Sequence, residues 1–172
     1  MFVDYSLPVY VFDVDGVLID VNEKIREALK RIGLPEEYPL NNIDPRRKQL
    51  FWKYFLSEEL IVYDKPRPAG IKLLLDRLEK GQVLVVSGRP ENLKKATLKE
   101  LKIYGVPINK IVPIFRRRGD RRPFTEFKLE IFKSIPNIVE VHDDMIDVLY
   151  AVKRIKPRVK TYLHKGDEFF EI

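Results

Sequence analysis

Asp13 and Asp15 stand one residue apart where the apolar run Val9-Tyr10-Val11-Phe12 gives way to Gly16. Two carboxylates placed there lose hydration and repel each other. A chain bears that cost when a cation lies between them or when one must stay ionised as a nucleophile. Both conditions predict a metal site with a carboxylate that attacks an electrophile. Other polar groups follow apolar runs in the same way. Ser87-Gly88-Arg89-Pro90 follows Val83 to Val86, and His142-Asp143-Asp144 follows Ile138 to Val141. Arg116, Arg117, Arg118, Arg121 and Arg122 follow the run ending at Phe115.

The elements that must position these groups read as an alternation of strands and helices. Strands are predicted over 9–13, 82–86, 111–115, 138–142 and 159–163. Three are nearly continuous apolar runs, as strands covered on both faces are. Pro113 sends the third to a sheet edge, and the alternation around Lys160 does the same for the fifth. Ile71, Leu74, Leu75 and Leu78 mark one helix ahead of Gly81, and residues 91–104 form another closed by Gly105. Thr125 is expected to cap a helix reaching Lys133, and a last helix runs from Asp147 to Ile155. This order predicts an α/β fold, a doubly wound, Rossmann-like parallel sheet of about five strands with helices on both faces. Ligands of such sheets bind beyond the carboxyl ends of the strands, where the polar groups converge.

Residues 21–67 interrupt the rhythm and are expected to form a small helical insert or lid within a single domain spanning 1–172. Ile25, Ala28, Leu29 and Ile32 mark its first helix, stopped at Gly33. Asp44-Pro45 opens a second that passes through Phe51, Trp52, Tyr54 and Phe55. Core packing is the better account of these aromatics, with stacking of a base above the site by Trp52, Phe51, Tyr54 and Phe55 the alternative.

The chain has 172 residues, 45% of them hydrophobic and 34% charged, which suits a globular protein with a full core. It has no cysteine, so disulfides and thiolate metal sites are excluded. Its formal charge of +6 favours anionic partners, phosphorylated compounds or nucleic acid. Its apolar runs are far too short for a membrane span, so the expectation is a cytoplasmic protein with no membrane partner. Abundant Lys, Arg and Glu fit a thermophilic source.

The groups Asp13-x-Asp15-Gly16-Val17, Val85-Val86-Ser87-Gly88-Arg89, a lysine ahead of the next strand, and Asp143-Asp144-x-x-Asp147 resemble, in order, the four motifs of the haloacid dehalogenase (HAD) superfamily of phosphohydrolases. The resemblance spans residues 9–147 and looks archaeal or thermophile-like, with a small insert in place of a large cap. It implies a sheet with the fourth strand beside the first, bringing Asp143 next to Asp13. It implies a Mg²⁺-dependent phosphatase in which Asp13 attacks phosphorus and Asp15 moves the proton. Ser87, Gly88 and Lys128 would bind the phosphoryl group, with Lys133 the alternative lysine. Asp13, the Asp15 carbonyl and Asp143 would hold the metal. Asp144 would add a ligand, or Asp147 would act through a water or simply cap its helix. An aspartate at position 15 distinguishes the chain from the superfamily's ATPases, which carry threonine there, and points to transfer to water.

Substrate specificity in the superfamily lies largely in lids and loops, here 21–67 and 116–122. Arg89, Arg116, Arg118 and Trp52 are the candidate substrate contacts. A small phosphorylated compound is the expected substrate. The alternative is a nucleic-acid-binding or polynucleotide-end phosphatase module that uses the basic 116–122 loop. The stretch from Phe51-Trp52 through Asp64-Lys65-Pro66 loosely resembles phosphatases of that kind. A solvated loop is the ordinary reading of such a charge run.

Overall fold

The structure, a computed structural model, describes residues 3–172. Strand β1 (Val9–Phe12) is buried along its whole length. Its side chains alternate between two cores, as the two-residue repeat of a strand requires. Tyr10 and Phe12 join Val83 and Val85 of β4 (Gln82–Pro90) in a cluster with Ala28, Phe51, Ile71, Leu74 and Leu101. Val9 and Val11 join Leu84 and Val86 on the other face, with Phe127, Phe132, Val148 and Val152. Three layers result, with helices α1 (Asn22–Arg31), α2 (Pro45–Phe55), α3 (Pro68–Leu78) and α4 (Lys94–Ile103) on the first side. Helices α5 (Phe124–Ser134) and α6 (Ile146–Ile155) cover the second.

The main sheet has six strands, in the order β5 (Ile111–Arg116), β4, β1, β6 (Ile138–Asp143), β7 (Lys160–Lys165), β8 (Glu168–Glu171). All pairings are parallel except β7 with β8. The fourth expected strand, β6, therefore lies beside β1 as the resemblance implies, and β5, with Pro113, lies at an edge. The fifth strand does not, because the chain reverses at Gly166 (φ +64°) and β8 covers it.

Two caps differ from expectation. Thr125 lies inside α5, which starts from Pro123 without a side-chain cap. Asp147 lies inside the first turn of α6, which follows Met145, and is exposed. Asp44 does cap α2, its Oδ1 accepting the Arg47 amide at 3.0 Å. Residues 21–67 spring from a two-stranded stem, β2 (Ile19–Asp20) antiparallel to β3 (Lys65–Pro66), which fixes both ends of the segment beside the carboxyl end of β1.

Candidate active site

The parallel register delivers Asp13 and Asp143 to one place. The Asp13 amide donates to the His142 carbonyl at 2.9 Å, continuing the β1–β6 ladder past its last paired residues. Lys128, on α5, reaches between them, with Nζ 3.1 Å from Asp13 Oδ2 and 2.5 Å from Asp143 Oδ2. Met145 N–H donates to the other Asp143 oxygen at 2.9 Å. Lys128 is buried while Lys133 is exposed, so Lys128 is the lysine at this position. Carboxylate oxygens of Asp13, Asp143 and Asp144 lie within 4.8 Å of one another. Asp147 stands outside that group.

Three carboxylates against one ammonium leave an excess of negative charge. Burial pushes the Asp13 carboxyl well above its usual range, and Asp143 and Asp144 add to the rise while Lys128 opposes it. Burial works against the Lys128 charge too, but Asp13 and Asp143 outweigh it and hold the ammonium. Asp144 is exposed, yet its carboxyl is raised as well, by lost hydration within the cluster and then by Asp143. Hard cations take oxygen ligands in such sets, so these residues fit a Mg²⁺ ion. Gly16 belongs to this geometry: its φ is +80°, and a Cβ there would overlap the Asp144 carboxylate.

Asp15 points into a second cluster. Its Oδ1 accepts from Arg89 Nε at 2.9 Å and Nη2 at 2.6 Å. The same guanidinium donates to Asp64 at 2.7 Å, Thr97 at 3.0 Å and Glu100 at 3.3 Å. Lys24, fully buried on α1, donates to Asp64 at 3.0 Å. Asp15 and Asp64 hold Arg89 firmly protonated against the pull of its burial. Its donors are thus engaged by protein groups, and the sequence-based expectation that Arg89 contacts substrate gives way to one in which it grips Asp15. Lys24 and Asp64 escaped sequence reading. The detectable signal was a lysine four residues ahead of Ala28, on the apolar stripe of α1.

A cavity of about 160 Å³ opens between the two clusters, lined by Asp13, Asp15, Arg89, Lys128 and Asp144. Gly88 lines it as well, whereas Ser87 lies beneath, its Oγ accepting the Arg89 amide at 3.1 Å. A Cβ on Gly88 would collide with the Phe124 ring, so packing already demands glycine there. Trp52 and Phe124 face each other edge to face at 5.6 Å, and both line the cavity. Trp52 is therefore at the site, while Phe51 and Phe55 are also part of the core.

The arginine loop is divided. Arg116 lies over the Phe124 ring at 5.0 Å and does not itself line the cavity. Asp120 pairs with Arg122 at 2.6 Å. Arg117 and Arg118 are exposed, and Arg118 does not line the cavity. His142 is sandwiched between Phe12 and Tyr162 and hydrogen-bonds His164 at 3.1 Å, and burial keeps it below its usual pKa.

No described protein family matches the sequence, and no curated protein matches it. Solved structures do match in shape. A haloacid dehalogenase-like family hydrolase from Streptococcus pneumoniae superposes with a TM-score of 0.63 at 14% identity, over 91% of this chain and 83% of its own. Protein Tyrosine Kinase A of Mycobacterium tuberculosis gives 0.65 at 16%, over 91% and 83%. A chain of the Pnkp1/Rnl/Hen1 RNA repair complex gives 0.61 at 20%, over 95% of this chain and 44% of that one. The fold is that of the HAD hydrolases. One structure of the same shape is called a kinase, so shape alone does not name an activity.

Proposed function

We propose that this chain is a Mg²⁺-dependent phosphomonoesterase that works through a phosphorylated Asp13. The observation that supports it most is the convergence of Asp13, Asp15, Lys128 and Asp144 on one cavity, with Asp143 against Lys128. An Asp13 oxygen attacks phosphorus while the bond to the leaving alcohol breaks. Asp15 in its protonated form gives its proton to the departing oxygen. Asp15, now ionised, takes a proton from water, which attacks phosphorus and frees Asp13 and inorganic phosphate. Lys128 and the Gly88 backbone face the phosphoryl oxygens. Asp13, Asp143 and Asp144, with the Asp15 carbonyl, would hold Mg²⁺, which when bound neutralises phosphoryl charge. Arg89 keeps Asp15 aimed at the leaving oxygen.

Hydrolysis of an aryl phosphate by purified protein with Mg²⁺ tests this. Asp13→Asn and EDTA should each lower turnover by about a thousandfold or more, since each removes a whole part of the reaction. Normal activity in either preparation overturns the mechanism.

A second reading has its own support. The exposed Arg117, Arg118 and Arg121 in the loop after β5, and the likeness to a chain of an RNA repair complex, favour a polynucleotide end as the substrate. Binding of a phosphorylated oligonucleotide should then weaken steeply with salt, and replacing these three arginines should flatten that slope by about two to three. A slope unchanged in that variant removes this reading.

A further inference from the structure

The half of the cavity opposite the acids is almost entirely apolar. Residues 21–67 contribute Val21, Ile25, Leu40, Phe51, Trp52 and Phe55 to its lining, and among these only the Trp52 indole carries a hydrogen-bonding group. A sugar or polyol hydroxyl moved there would surrender its water without gaining a partner. A flat hydrocarbon ring loses nothing comparable and gains contact with the Trp52 and Phe124 rings, which already meet edge to face.

We infer that the site selects phosphomonoesters whose leaving group is a single planar apolar ring on a short arm, seated against Trp52 and Phe124, over phosphorylated sugars and polyols. This rests on the phosphomonoesterase reading for the position of the phosphoryl group at the acidic end.

Trp52 is the chain's single tryptophan, so its emission reports occupancy without turnover. The intact protein with Mg²⁺ is titrated with benzylphosphonate and with methylphosphonate, which share the anionic head and cannot be hydrolysed at a P–O ester. Benzylphosphonate should bind at least about tenfold more tightly, the ratio expected from burying one ring, and inorganic phosphate should displace it. Calorimetry on Trp52→Ala should show the ratio falling to about two or three, and Trp52→Phe, which keeps a ring, should restore most of it. Equal affinities for the two phosphonates in the unmodified protein overturn the inference. Hydrolysis of benzyl phosphate and glucose 6-phosphate separates the two ideas. If both are hydrolysed with similar kcat/KM, the ring selection falls while the phosphatase reading stands. If neither is hydrolysed yet benzylphosphonate keeps its advantage, the ring site stands and the phosphatase reading falls.

Discussion

Two ionic clusters flank the cavity, and they are built on opposite principles. Around Lys128, three carboxylates share one ammonium, and the cluster opens to the cavity. Around Arg89, Asp15, Asp64 and Glu100 face two cations, Arg89 and Lys24, and nearly every donor has a partner. The first is charge-incomplete, the second almost balanced. A balanced network fixes geometry, whereas an unbalanced one stores a demand for a cation and an electrophile. The Asp-x-Asp pair, just past the end of β1, straddles this boundary, with Asp13 against Lys128 and Asp15 against Arg89. The same contrast lets each cluster be broken separately.

The largest effect is expected from Arg89→Met. It strips the counter-charge from Asp15, Asp64 and Glu100 at once, and removing one partner from a buried ion pair costs about 3–5 kcal/mol. Chemical denaturation should show a loss of that size, with turnover falling as well because Asp15 is no longer held. Arg89→Lys keeps the charge but lacks the planar fork that spans Asp15 and Asp64, so it should recover only part of the stability. A fully stable Arg89→Met would mean the network aims nothing.

The network also marks the limit of what the sequence disclosed. The layered α/β fold and the rim were legible because β1, β4 and β6 are apolar runs ending in polar groups, and Pro113 announced its edge. Asp13, Asp143 and Asp144 were legible because each follows such a run, whereas Lys128 was singled out through the family resemblance. β8 was missed because Glu168-Phe169-Phe170-Glu171 is short and exposed throughout, although the Gly166-Asp167 turn signalled a hairpin. Arg89 was assigned to substrate because its position at the strand end was legible and its partners were not. Asp15 lies 74 positions away and Asp64 lies 25. Ion pairs closed by tertiary folding leave no local pattern, apart from an out-of-place charge such as Lys24 on an apolar helix face.

The Lys128 cluster should respond to a cation where the Arg89 cluster does not. Mg²⁺ at about a hundred times its Kd should stabilise the protein by about 2.7 kcal/mol, read as a rise in Tm. Asp144→Asn should blunt that rise and, without Mg²⁺, should leave the protein as stable as before or more so, because it removes a carboxylate from an overcrowded set. Mg²⁺ should also bind more weakly as pH falls, since protons compete for the raised Asp13 and Asp144 carboxyls. Equal Mg²⁺ stabilisation of the unmodified protein and Asp144→Asn would separate the ion from this cluster.

The smallest effect tests how nearly the Arg89 cluster is balanced. Burial first, and then Asp64, lift the Glu100 carboxyl to about 7, against the opposing pull of Arg89 and Lys24. A raised acid is protonated in the folded chain over a range where the unfolded chain has already released its proton. Between the ordinary glutamate value and about 7 the folded state therefore binds more protons, and stability must fall as pH rises through that window. Glu100 is partly open to solvent, and screening limits its share to about 1 kcal/mol. Glu100→Gln is neutral at every pH, and its amide can still accept from Arg89 and from the Tyr104 hydroxyl. Against the unmodified protein it should be of similar stability near pH 4.5 and gain about 1 kcal/mol by pH 8, a difference that denaturant titrations at the two pH values can resolve. Parallel stability curves for the two proteins would show that Glu100 already carries its charge at neutral pH, leaving one negative charge uncompensated in the network that the comparison treats as closed.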